Sequence, residues 1–147
     1  MISITGVPGT GKTSVCKELN TMGFRCDSLD ALCAECIESG EADIQCMDRI
    51  TAGVTTTVES HYSHLLHCEY VVILEADELE LKLRMKERGY PDSKIEENLD
   101  VQRSGTIYYE ALERIPAGRI FCINTSGLTT GEIAIRITEI LGMAMKK

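Results

Sequence analysis

With 147 residues, a formal charge of −8 and no Trp, the chain has the length of one domain, which would bury roughly 68–70% of its unfolded surface around a mainly aliphatic core. The acidic balance excludes a broad basic face, and with it direct DNA binding. No apolar run reaches the length of a membrane span, so no membrane partner is expected.

In chain order, Ile2–Thr5 predicts a short strand ended by Gly6. Lys12 to about Met22 predicts a helix, with Val15, Leu19 and Met22 at helical spacing and Gly23 as its stop. Phe24–Ser28 reads as a second strand. Asp30–Glu38 reads as a helix closed by Ser39-Gly40, and another helix is expected from Ile44 to Gly53. The β-branched run Thr55–Ser60 predicts a buried strand, followed by a short connection over His61–His67. Tyr70–Glu75 is a continuous apolar run, as found in a parallel sheet covered on both faces. Glu78–Arg88 predicts a charged amphipathic helix with Leu79, Leu83 and Met85 inward, broken at Gly89-Tyr90-Pro91. Asp92–Arg114 reads as one long helix capped by Asp92 or Ser93, and Arg119–Asn124 as the last strand. Thr130 to about Met145 closes the chain as a helix with Ile133, Ile137, Ile140 and Leu141 along its core stripe. Five strands alternating with helices predict an α/β fold: a five-stranded parallel sheet whose right-handed crossovers place helices on both faces.

Seven Cys is an odd number, and a strand starting at Ile2 leaves no room for a secretory leader. Reduced, buried thiols in a cytoplasmic protein are therefore expected. Cys33-Ala-Glu-Cys36 has the spacing of half a zinc site. Neither Cys26, Cys46 nor His64 with Cys68 supplies a second pair of matching spacing, so core packing is the expected use.

The chemistry sits in Gly6-Val-Pro-Gly-Thr-Gly-Lys-Thr13, a full match to G-x-x-x-x-G-K-[ST] between a predicted strand and a predicted helix. Gly9, Thr10 and Gly11 let successive N–H groups face a phosphate, and the start of the helix adds its partial positive charge. Lys12 is expected to reach the β- and γ-phosphates of ATP, Thr13 to ligate Mg²⁺, and Ser14 to add a hydroxyl and an N–H. A P-loop also needs an acid near its metal. Glu59, at the end of Thr55–Val58, is the candidate, and His61 two residues on could do polar or acid–base work. His64 and His67 read as satisfied or exposed imidazoles. Arg84 and Arg88 lie four apart on one helix side. Arg88, just before the break at Gly89, is the favoured catalytic cation because a lid could hinge there. Arg25, Arg49 and Arg103 read as solvent-facing.

Together, the P-loop with Ser14, the segment Lys86-Glu87-Arg88-Gly89-Tyr90 with Lys94-Ile95-Glu96-Glu97-Asn98, and the step Glu59-Ser60-His61 resemble the adenylate kinase isoenzyme six family. These are small adenylate-kinase-like proteins of archaea and eukaryotes, and the resemblance covers nearly the whole chain. It implies a single P-loop kinase domain with an adenylate-kinase topology, a monophosphate-binding segment at about 27–48 and a short lid at about 87–97. It implies transfer of a phosphoryl group from ATP to AMP or a related monophosphate, alongside ATPase activity. It also implies a second role, as an ATP-dependent assembly factor for small-subunit ribosomal RNA maturation acting with a small-subunit ribosomal protein. The chain departs from the family at three places. Glu59 stands where the family has Asp, and the 27–48 segment is short and rich in Cys. The loop from Asn124, where the family places adenine contacts, lacks a Lys that some members carry. A kinase for another small acceptor, such as shikimate or a nucleoside, is the further alternative, and the Arg-Gly-Tyr signature counts against it.

Overall fold

The computed structural model describes residues 1–145. The elements are β1 (Ile2–Thr5), α1 (Lys12–Thr21), β2 (Cys26–Ser28), α2 (Leu29–Leu32), β3 (Ile37–Glu38), β4 (Glu41–Ala42), α3 (Ile44–Thr51), β5 (Thr57–Glu59), β6 (Tyr70–Glu75), α4 (Glu78–Glu87), α5 (Asp92–Ser104), α6 (Thr106–Leu112), β7 (Ile120–Asn124) and α7 (Thr130–Met145). Single turns of 3-10 helix stand at Ala34–Cys36, Ser63–Leu65 and Ala117–Arg119.

The expected α/β architecture is present. β2, β5, β1, β6 and β7 form a parallel sheet in that order. Alternation along β6 explains why its apolar run is unbroken. Val72 and Leu74 join Ile4, Val15, Leu19 and Ile137 on one face, beneath α1 and α7. Val71 and Ile73 join Leu81, Met85, Ile95, Leu99 and Ala111 on the other, beneath α4, α5 and α6. A side chain of this size contributes roughly 1.5–3 kcal/mol when fully buried, so the two layers dominate the fold's stability. Leu29, Cys33, Met47, Val58 and Leu66 make a smaller cluster under the segment between β2 and β5.

Four local expectations are corrected. In α4, Leu81 and Met85 are buried, while Leu79 and Leu83 are 73% and 56% exposed. Apolar residues at 79, 81, 83 and 85 offer two pairs at four-residue spacing, and docking against the P-loop selects the second. The long helix expected over 92–114 is two helices, because Gly105 between them takes a left-handed φ of 68°. The helix expected over 30–38 ends at Leu32, and Ile37–Glu38 instead pairs antiparallel with Glu41–Ala42. Ser39 and Gly40, with φ of 53° and 79°, make the two-residue turn that such a hairpin requires.

The fourth correction concerns the thiols. Cys16 is bonded to Cys26 and Cys36 to Cys46, with Cα–Cα distances of 5.3 and 5.6 Å. The turn at Gly23 brings α1 back beside β2, and the hairpin folds Cys36 onto the first turn of α3; both separations suit a disulfide. Cys33, Cys68 and Cys122 are free, so Cys33 and Cys36 do not act as a metal-ligating pair.

Candidate active site

Register places the site. Ile4 of β1 and Ser28 of β2 both align with Glu59 of β5. The loop after β1, the residues after β2 and the end of β5 therefore share one edge of the sheet, the carboxyl edge where open α/β sheets bind ligands.

The loop from Gly6 to Gly11 is shaped by its glycines. Gly6 has φ of 148°, and a Cβ there would lie 2.4 Å from the Leu74 carbonyl oxygen, so no other residue fits without moving β6. Gly11 precedes α1 in a left-handed conformation, φ 91°. Without a side chain it cannot cap the helix, and the first N–H groups of α1 stay open to the cleft. Lys12 begins α1 and bends back along the loop, where Nζ donates to the carbonyls of Gly6 at 2.8 Å and Val7 at 2.9 Å. The Thr10 hydroxyl donates to the Val7 carbonyl at 3.0 Å. Burial drives the Lys12 pKa down to about 8, helped by the Arg88 charge and opposed by Glu59.

Facing the loop across a cavity of about 270 Å³ are Ser28, Asp30, Glu59, Ser60 and His61. Lys12, Thr13, Ser14 and Arg88 line its other side. Of the residues expected from the sequence, Lys12, Thr13, Ser14, Glu59, His61 and Arg88 are thus brought together. Glu59 is 8% exposed. Burial raises its pKa, and Asp30 adds to that while Lys12 opposes it. His61 sits at the rim with Nδ1 3.4 Å from the Gly6 carbonyl. Desolvation and then Lys12 lower its pKa, Arg88 adds to that, and the Gly6 carbonyl and Asp30 oppose it. His64 is buried and satisfied, with Thr5 Oγ1 at 3.2 Å on one ring nitrogen and Glu110 at 3.1 Å on the other. His67 is exposed.

A second cleft of about 290 Å³ runs from the same loop toward α7. Val15, Leu128 and Ile133 give it apolar patches, Thr125 and Thr130 give it hydroxyls, and Arg84 and Arg88 lie over it. Gly9, Gly11, Ser14 and Arg88 line both spaces, so the two adjoin at the P-loop. Among the described residues no carboxylate pairs with Arg88, whereas Arg84 donates to the Gly9 carbonyl at 2.6 Å and to Glu80. Asn124 stands at the edge of this region. Its side chain donates to Asp77 at 3.3 Å and accepts from the Ser126 N–H at 2.9 Å, and the cleft wall is made by Thr125 instead.

Sequence reasoning missed Asp30 and undervalued Arg84. Asp30 stands on α2, the short helix directly after β2, and accepts a hydrogen bond from the Tyr62 hydroxyl. Nothing in its neighbours marks it. For Arg84 the signal was present: it precedes Arg88 by one helical turn, so both must face the same way. A separate cavity of about 370 Å³ lies between α5–α6 and the ends of β6 and β7, but its one arginine, Arg103, is engaged by Glu78, Glu96 and Asp100. The P-loop clefts are therefore the ones equipped for phosphate.

Comparison with known proteins agrees. An AAA domain family model matches residues 2–105. The putative adenylate kinase of Thermoplasma acidophilum is 49% identical over 132 residues, which span 87% of this chain and 89% of that protein. The putative adenylate kinase of Thermoplasma volcanium is 43% identical over 142 residues, 94% of this chain and 92% of that one. The chain belongs to this adenylate-kinase-like family. Among solved structures, a shikimate kinase from Acinetobacter baumannii in complex with shikimate shares the fold, a five-stranded parallel sheet flanked by helices. The two align with a TM-score of 0.65 at 15% identity, over 99% of this chain and 94% of the other.

Proposed function

We propose that the protein is a nucleoside monophosphate kinase that transfers the γ-phosphoryl group of ATP to AMP or a related monophosphate, with some transfer to water. The observation that carries this reading is that two clefts meet at the P-loop and share Gly9, Gly11, Ser14 and Arg88. In it, the apolar cleft beside Val15, Leu128 and Ile133 takes the donor nucleoside. The N–H groups from Gly9 to Ser14 take the triphosphate, and the polar cavity takes the acceptor.

An oxygen of the acceptor phosphate attacks the γ-phosphorus. The bond to the β–γ bridging oxygen breaks and its electron pair stays on the departing ADP, so ATP and AMP give two ADP. Little covalent work falls to the protein, and positioning with charge neutralisation supplies the rate. Lys12 exchanges its bonds to the Gly6 and Val7 carbonyls for the β- and γ-phosphate oxygens. Arg88, lining both spaces and adjoining the hinge at Gly89, closes over the transferred group, with residues of about 87–97 acting as the lid and those of about 27–48 covering the acceptor. Mg²⁺ keeps several waters and takes phosphate oxygens beside one or two protein oxygens. The Thr13 hydroxyl and the Glu59 carboxylate on one cavity suit that demand, and the ion would supply charge neutralisation there.

One observation favours a second reading, an ATPase that uses water as acceptor. From Asp27 to Asp48 the chain has acids at 27, 30, 35, 38, 41, 43 and 48 and neither Lys nor Arg. Those residues offer a monophosphate no cation, so Lys12 and Arg88, which line the polar cavity, have to serve the acceptor as well as the donor. An acceptor screen tests the proposal. Purified protein with ATP and Mg²⁺ should turn over faster with AMP than with shikimate, a nucleoside or no acceptor. Equal rates in all four would remove the kinase reading.

A further inference from the structure

We propose that Glu80 is a positioning residue that sets the spacing between the two walls of the donor cleft. This rests on the reading of that cleft as the ATP nucleoside site. Glu80 itself does not line the cleft. Its two carboxylate oxygens nevertheless reach residues tied to opposite walls. One accepts from Arg84, whose other guanidinium nitrogen holds the Gly9 carbonyl of the P-loop. The other accepts from the Ser126 hydroxyl at 2.5 Å. Ser126 in turn accepts from the Asp77 N–H at 2.8 Å and donates its own N–H to Asn124. It lies between Thr125 and Leu128, the residues that form the wall away from the P-loop.

The arrangement has a chemical logic. With one guanidinium nitrogen held by Glu80, the other is aimed at the Gly9 carbonyl and away from the phosphate oxygens that Lys12 and Arg88 would bind. Glu80 gives Arg84 a charge-assisted partner on its own helix, one turn back. The same carboxylate then draws the 124–128 loop toward α4. Removing it frees both walls at once, so the site loses its grip on the nucleoside while the P-loop N–H groups keep theirs on phosphate.

That difference is the test. Equilibrium binding is measured for ATP and for inorganic tripolyphosphate, each with Mg²⁺, on wild type, Glu80→Ala, Glu80→Gln and Ser126→Ala. The proposal expects Glu80→Ala to weaken ATP about ten-fold and tripolyphosphate less than two-fold. Ser126→Ala should reproduce part of that split, and Glu80→Gln, which keeps an acceptor for Ser126, should recover part of the loss. A Glu80→Ala, Ser126→Ala double variant should be little worse than Glu80→Ala, because the single variant has already lost the Glu80–Ser126 bond. Equal loss of both ligands, or no loss of either, would overturn it. If wild type binds neither ligand, the donor-site reading itself fails, which is a separate result.

Discussion

The two cavities that meet at the P-loop, proposed as the donor and acceptor sites, are built in different ways. On the donor side the ligand-facing groups are largely backbone: a loop whose glycines take positive φ, and a helix whose first N–H groups have no cap. Its cations, Lys12, Arg84 and Arg88, come from two helices anchored in the large core layers. On the acceptor side the segment between β2 and β5 is made of a four-residue helix, a single 3-10 turn, two strands of two residues and α3. It is tied by the Cys36–Cys46 bond, and from Asp27 to Asp48 it carries acids without cations. Backbone geometry imposes a motif on the sequence, whereas a pocket of assorted side chains does not. The half with a motif therefore commits the protein to a phosphate donor, and the other half leaves room for the acceptor to change.

The largest expected effect tests whether the donor half works as described. Lys12→Ala should reduce kcat for ATP turnover at least about 100-fold, with circular dichroism unchanged; a variant within ten-fold of wild type would mean that the loop does not hold the γ-phosphate. Next, Cys36→Ser with Cys46→Ser sharpens the contrast with the acceptor half. The bond spans a sequence separation of 10, and losing it should cost about 2–3 kcal/mol by the loop-closure account. The account places the consequence on one side: KM for AMP rises several-fold while affinity for ATP holds. A matching rise for ATP would show that the halves are mechanically one.

The smallest effect concerns pH. Burial lowers the Lys12 pKa to about 8 from 10.5. Phosphate binding needs the protonated form, so in the free protein that form declines as pH rises through 8. kcat/KM for ATP should fall about three-fold between pH 7.5 and 8.5. A flat profile over that range would show that Lys12 stays charged or does not matter.

Sequence and structure agree where periodicity or a motif had a single solution. The unbroken apolar run of β6, the P-loop and the final helix were all legible, since each pattern admits one arrangement. Agreement failed where a pattern admitted two. The alternating Leu residues of α4 satisfy either of two faces, and only docking on Gly9 chooses between them. Gly105 inside a helical pattern was read through, although its left-handed φ divides the helix. The disulfides depend on which thiols tertiary folding brings within reach, which spacing alone does not reveal. Within the site, Asp30 was invisible because one carboxylate after a strand looks like any other. Glu80 was invisible because it stands outside the cleft and adjoins it only through Arg84 and Ser126.

The central claim is that the γ-phosphoryl group passes to a monophosphate held on the acceptor side. Its most direct test follows the fate of label from γ-labelled ATP, with Mg²⁺, in the presence and absence of AMP. The account predicts that AMP moves most of the label from inorganic phosphate into ADP and raises total turnover. Label appearing only in inorganic phosphate, at one rate with or without AMP, would contradict it.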